Sequence, residues 1–322
     1  MNGKCFNRLN HKEEFTALKK MYISKIFSIK KQIVKKNITL VHANTLRLAV
    51  IVILVKRFWG LDFKMIYTKH RHTRVESFNG KMFSNFINKS IDNLIVVCNY
   101  EKSKLTNRGI RAEKIVPIAN GVDLNQFEFD SRFLKGAPGI NIGILARLSD
   151  EKNHMFFLDI IEELFRREPL ADINVSIAGD GPEMKNIKKT IIKKGLQHKV
   201  KLVGNVCNPE GFLKDIDILL LTSKFEMFPM SVLEGMAVGC VTISMNVGGI
   251  RECVSHDYNG YLIEDYSKEK FCEVISDVIA NREDNEKLVL NGRKYIETNF
   301  SIKEVVRRHE DLYEDMLNNK SL

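Results

Sequence analysis

Apolar residues along this chain fall into short, β-branched runs separated by longer stretches of helical period. Residues 38–44, 64–70, 93–99 and 114–120 hold such runs in the first part of the chain. Residues 140–146, 173–179, 200–206, 217–223 and 241–247 hold more in the second. Most are apolar on both faces, as strands must be where helices cover both sides of a parallel sheet. Between them, residues 155–168 and 184–195 repeat apolar positions with the spacing of amphipathic helices. Strand–helix alternation in two clusters predicts an α/β protein built from two Rossmann-like parallel-sheet domains.

Residues 129–139 lack periodicity and end in Gly-Ala-Pro-Gly, a breaker cluster suited to a linker. The expected division is therefore 1–136, 137–300 and a closing segment 301–322. That segment opens with Ser301 as a helix N-cap and Glu304 as the partner of a capping box. It reads as an amphipathic helix that crosses back to the first domain. The longest apolar run, residues 48–55, is far shorter than the roughly 20 residues of a membrane-spanning helix. The opening residues have no apolar core of a secretory or transit signal.

Composition changes the picture in one respect. The chain of 322 residues carries a net charge of +10, and the charge is unevenly placed. Residues 1–74 hold 17 Lys and Arg against 3 Asp and Glu, and the remaining 248 hold 33 against 37. A basic front half suits a phosphate-rich partner, either nucleic acid or an anionic membrane surface. The alternating apolar and basic residues of 25–36 equally suit a solvated helix face. The six cysteines form no C-x-x-C pair and read as reduced thiols of a cytoplasmic protein, with neither a disulfide framework nor a zinc site.

The stretch 223–239, SKFEMFPMSVLEGMAVG, follows a predicted strand, so its loop lies where open α/β sheets bind ligands. Pro229 suits the first turn of the next helix, whose free N–H groups form an anion site. Glu234 lies five residues further, about 7–8 Å along the axis. A carboxylate there can accept hydrogen bonds from the hydroxyls of a ribose, with Glu226 facing what lies on the other side of the phosphate. Both glutamates are equally readable as surface carboxylates. In 143–154, GILARLSDEKNH, a strand ends at Arg147 and Lys152 opens the following helix, two cations suited to a diphosphate. The acids Asp215 and Asp217 precede a buried strand and read as structural.

Together these stretches resemble a family. ARLSDEKNH, AGDGPE, VKLVGNV, SKFEMFPMSVLEGMA, GGIRE and NGYLI, in this order, are similar to the retaining glycosyltransferases of family 4, with Glu226 and Glu234 in its Glu-x7-Glu spacing. YTKH (67–70) and IANGVD (118–123) extend the resemblance to the first half. It implies a GT-B fold, with two Rossmann-like domains facing a cleft. It assigns the donor diphosphate to Arg147 and Lys152, the ribose to Glu234 and a donor-sugar hydroxyl to Glu226. Gly204, Asn205 and Val206 would meet the base through the backbone, and Met227, Phe228, Pro229, Met230 and Ser231 would line the donor site. His70 would approach the donor sugar, and Asn120 and Asp123 would line the cleft. The family retains anomeric configuration without an evident protein nucleophile. The leaving phosphate helps to deprotonate the acceptor, and neither metal nor cofactor is needed.

Too few residues precede position 38 for the family's opening β-α unit and its glycine-rich loop, so the first domain is expected to lack it. The reading that follows is a cytoplasmic glycosyltransferase, peripheral on the inner face of the membrane. It would move a sugar from a nucleotide-sugar donor, a UDP-sugar, to a lipid-linked or saccharide acceptor of cell-surface polysaccharide or glycolipid synthesis. The alternative is an impaired homologue that binds the nucleotide-sugar as a scaffold. Nucleic-acid binding is disfavoured, because no recognition motif is present and Trp59 offers little stacking surface.

Overall fold

A computed structural model describes residues 26–71, 76 and 78–318. The chain divides into two compact units, one of residues 1–96, 105–116 and 311–322 and one of residues 97–104 and 117–310.

The first unit holds a four-stranded sheet in the order β1 (Leu40–Ala43), β2 (Lys64–Lys69), β3 (Asn93–Val96), β4 (Ile115–Pro117). β1 pairs parallel with β2, and β2 with β3. Helices α1 (Leu46–Phe58) and α2 (Gly80–Ser90) connect the strands, and after β3 comes α3 (Asn99–Asn107), whose residues 99–104 belong to the second unit. Thr45 caps α1 by accepting from the Leu48 N–H, and Asn79 caps α2 by accepting from Met82. The core gathers Ile33, Val52, Val55, Met65, Phe83, Ile87 and Leu94. Among the described residues β1 is the edge of this sheet. An opening β-α unit would fall on residues 1–25, outside the described residues.

The second unit has six strands in the order β10-β9-β8-β5-β6-β7, with every neighbouring pair parallel. β5 is Ile140–Leu145, β6 Ile173–Ala178, β7 Val200–Gly204, β8 Ile218–Leu221, β9 Val241–Met245 and β10 Tyr261–Ile263. Their helices are α4 (His154–Arg167), α5 (Met184–Lys193), α6 (Pro209–Lys214), α7 (Met230–Val238), α8 (Lys268–Ala280) and α9 (Glu286–Asn299), with α10 (Ile302–Asn318) closing the chain. All side chains of β8 and β9 are buried, as strands covered by helices on both faces require. From central β5 the chain winds outward through β6 and β7, then returns to β8 and winds the other way. The C-terminal ends of β5 and β8 therefore border a topological switch point, the place where such sheets bind ligands.

Three local expectations are corrected. Residues 129–139 are no linker: Phe133 is buried in the core of the second unit, and Ser131 Oγ donates to the Gly239 carbonyl at 2.6 Å. Arg132, in the same segment, pairs with buried Asp217. One phenylalanine and two polar anchors hold a segment whose composition reads as loop. Pro229 stands at the N-cap of α7, not in its first turn, which begins at Met230. In α10, Ser301 Oγ accepts from the Glu304 N–H at 3.4 Å, but the Glu304 carboxylate turns to Arg307 and Arg308, at 2.7 and 3.0 Å. Those two guanidiniums hold its pKa down at about 2.

Candidate functional site

At the C-terminal end of β5 the chain passes Arg147, makes a short turn and places Lys152 just before α4. Asn153 adopts a left-handed conformation there, with φ 53°. At the end of the neighbouring β8 the chain runs through Ser223 and Glu226 to the start of α7. Backbone and side chains stitch the two loops together. The Lys224 N–H donates to the Glu151 carbonyl at 2.8 Å, Lys224 Nζ meets Asp150 at 2.7 Å, and Thr222 Oγ1 donates to the carbonyls of Lys152 and Asn153. The result is a buried Glu226 whose Oε1 accepts from Lys152 Nζ at 2.5 Å and from Ser223 Oγ at 2.7 Å.

A cavity of about 490 Å³ opens over this pair. Its wall includes Arg147, Lys152, Asn205, Val206 and Glu226, together with Phe228, Pro229, Met230, Ser231 and Glu234 of α7 and its approach. The cavity offers two unmet demands. Arg147 is exposed and its guanidinium has no carboxylate partner among the described residues. Helix α7 has no side-chain cap and no acid in its first turn, so its N-terminal N–H groups and dipole face the cavity uncompensated. Both features favour an anion. Glu234 is the counterpart: burial pushes its carboxyl above the usual range, and no described residue donates to it. A half-buried carboxylate without a donor fits a ligand that brings hydroxyl groups.

Glycines let these loops approach. Gly179, after β6, has φ 140°, and a Cβ there would lie 1.9 Å from the Ala146 carbonyl oxygen. Gly248 has φ 61°, and a Cβ would come within 1.8 Å of the Glu226 oxygen; at Gly249 it would come within 2.0 Å of the Met227 oxygen. The Gly249 N–H donates to the Glu226 carbonyl at 3.1 Å. Glu252, four residues beyond Gly248, accepts from the N–H groups of Asn99 and Tyr100 at 2.7 Å and so caps α3. The GGIRE motif thus works as a clamp on the backbone that carries Glu226, a role the sequence reading did not assign. Gly179, Asp180 and Pro209 also line the cavity; the AGDGPE motif was the signal for the first two.

Gly204, with φ 79°, ends β7 just before Asn205, and Met227 is buried beside Phe228. Asn120 and Asp123 belong to the second unit but do not line this cavity; Asp123 Oδ1 accepts from the Asn125 N–H at 3.0 Å. His70 is exposed directly after β2 in the first unit. Asp217 is fully buried between Arg132 and Arg282, which makes it part of the scaffold.

These features define an α/β protein that gathers two cations, two acids and an uncapped helix start around one cavity at its switch point, and comparison with known proteins supplies its family. The profile of the Glycosyl transferases group 1 matches residues 128–295, and that of Glycosyltransferase Family 4 matches residues 13–126. The chain belongs to the glycosyl transferases group 1 family. An uncharacterized glycosyltransferase of Methanocaldococcus jannaschii is 28% identical over 243 residues, which cover 74% of this chain and 64% of the relative. The UDP-Gal:alpha-D-GlcNAc-diphosphoundecaprenol alpha-1,3-galactosyltransferase of Escherichia coli is 25% identical over 320 residues, covering 92% of this chain and 80% of the relative. Among solved structures, Anabaena Alr3699/HepE in complex with UDP and glucose superposes with a TM-score of 0.79 at 19% identity, covering 91% of this chain and 80% of that one. The fold is that of the GT-B glycosyltransferases.

Proposed function

We propose that this chain is a retaining glycosyltransferase that moves a sugar from a UDP-sugar to a lipid-linked or saccharide acceptor in cell-surface polysaccharide or glycolipid synthesis. The observation that carries the reading is the convergence on one cavity of the unpaired Arg147, Lys152 on Glu226, the uncapped start of α7 and the unpartnered Glu234. The solved relative binds UDP and glucose, and the E. coli relative acts on a diphosphoundecaprenol-linked sugar by its name.

In this reading Arg147 forks onto the diphosphate, and Lys152 and the α7 N–H groups complete its charge compensation. Glu234 accepts from the ribose hydroxyls, and the backbone at Gly204–Val206 meets the base. Glu226 accepts from a hydroxyl of the sugar, held in place by Lys152 and Ser223. The bond between the anomeric carbon and the phosphate oxygen breaks as the acceptor oxygen bonds to the same face of that carbon. The acceptor proton passes to the departing phosphate. Positive charge fixed beside the leaving group stabilises this transition state without reorganisation. The reaction so written uses no metal ion and no cofactor. A lipid-linked acceptor places the enzyme on the cytoplasmic face of the membrane as a peripheral protein.

Calorimetric titration tests the reading, with UDP, GDP and UDP-sugars as ligands, followed by transfer of labelled sugar to a polyprenyl-diphosphate-linked acceptor. Binding of UDP and its sugars ahead of GDP is expected. No heat with any nucleoside diphosphate overturns it.

A further inference from the structure

The first unit presents a surface that its own fold does not explain. Helix α1 buries Ala49, Val52, Ile53 and Val55 against the sheet, which leaves its opposite face to solvent. That face mixes bulky apolar side chains with Arg47 and Arg57. Leu54 is 54% and Phe58 80% exposed, with Leu48 and Val50 exposed along the same helix. The preceding helical residues 26–35 bury Ile33 and turn out Phe27, 57% exposed, and Val34, 56% exposed. The two helices meet at Trp59, whose ring lies 5.6 Å from Phe27 and 4.7 Å from Phe58, with Lys30 above it at 5.7 Å. Seven cations and no acid lie between residues 26 and 59.

We infer that this face of the first unit docks on an anionic lipid bilayer, with Phe27, Leu54 and Phe58 entering the headgroup boundary and Lys31, Lys35 and Arg57 engaging lipid phosphates. The inference deepens the proposed membrane setting and rests on it. Charge without acids excludes a symmetric pairing of two copies, which would bring like charges together. Interleaved bulky apolar side chains separate the face from a nucleic-acid surface, which needs cations and hydrogen-bond donors but no aliphatic protrusions. A helix apolar on one side, rich in Lys and Arg and carrying Phe and Trp, is the kind that lies in a membrane interface.

The test uses the full chain with vesicles of phosphatidylcholine, alone or with phosphatidylglycerol. Binding to the phosphatidylglycerol vesicles is expected, weakened by salt, with little binding to phosphatidylcholine alone. Trp59 is the chain's one tryptophan, so a blue shift of its emission on binding reports entry of this face. The double variant Leu54→Gln/Phe58→Gln should lose about tenfold or more in partitioning and lose the shift. Lys31→Gln, Lys35→Gln and Arg57→Gln should each cost about fivefold. All these side chains are exposed and lie outside the donor cavity, so UDP affinity serves as the control for folding. A failure of UDP binding in the parent chain would sink the proposed activity and leave the vesicle result standing. Unchanged vesicle binding by the variants, an unmoved Trp59 emission, tighter binding to duplex DNA, or an apolar-face-dependent dimer would each overturn the inference.

Discussion

Lys152 Nζ and Glu226 Oε1 lie 2.5 Å apart, although the residues follow different strands and are 74 positions apart in sequence. The contact exists because β5 and β8 are neighbours in the sheet. Glu226 is buried, and Lys152 and Ser223 donate to its carboxylate. Lys152→Ala should therefore destabilise the fold by about 2 kcal/mol, because it leaves a buried carboxylate unpaired. The double variant Lys152→Ala/Glu226→Gln should recover much of that loss. A denaturant-melt double-mutant cycle checks this, and additive losses would show that the pair is not coupled.

Glu234 should matter to binding and not to folding. Its carboxylate has no donor among the described residues, so Glu234→Ala costs none of their hydrogen bonds and the melting temperature should hold or rise. UDP affinity should fall by about 1.5–3 kcal/mol, the worth of a hydrogen bond to a charged group. Burial raises its pKa, and only the ionised form accepts fully from a ribose. UDP affinity should therefore decline as pH falls through that raised value, at higher pH than an ordinary glutamate would give. Glu234→Gln should flatten the decline. Calorimetry across the acid range decides it.

Gly248 and Gly249 predict a defect transmitted through backbone alone. Neither residue lines the cavity, yet a methyl group at Gly248 would overlap the carbonyl oxygen of Glu226 and one at Gly249 that of Met227. Gly248→Ala and Gly249→Ala should push that loop away, with a strain of about 1–3 kcal/mol. Donor affinity should fall by about tenfold, with near-native circular dichroism. Unchanged affinity would show that the loop position does not set the site.

Much of this was legible in the chain, and the illegible parts share a cause. Strands such as 217–223 and 241–247 announced themselves because burial on both faces demands unbroken apolar runs. β10 did not, since the three residues Tyr261–Ile263 are too few to carry a period. Residues 129–139 read as linker because Phe133 is their one fully buried apolar side chain, while Ser131 and Arg132 find partners about a hundred positions away. The cations and acids of the site were visible by type and spacing, and the resemblance ordered them. The Lys152–Glu226 pair, the clamp at Gly248 and the cap that Glu252 gives α3 depend on which strands are neighbours and on contacts up to 153 residues apart, which no local pattern encodes.

His154 opens α4 directly after the turn that carries Lys152. Its side chain is buried at the start of α4, and neither ring nitrogen has a hydrogen-bond partner among the described residues. Burial, followed by the charge of Lys152, lowers its pKa from 6.5 to about 4. The folded protein therefore holds His154 neutral, while the unfolded chain takes up a proton below pH about 6.5. Between those values the unfolded state binds more protons, so stability must fall as pH drops from about 6.5 to about 4, by roughly 3 kcal/mol over the whole window. Above it the contribution is complete and flat. His154→Phe should remove this part of the pH dependence while leaving the acid loss due to carboxylates below it. Thermal melts of both proteins between pH 4 and 8 make the comparison, and parallel curves would assign the histidine an ordinary pKa in the fold.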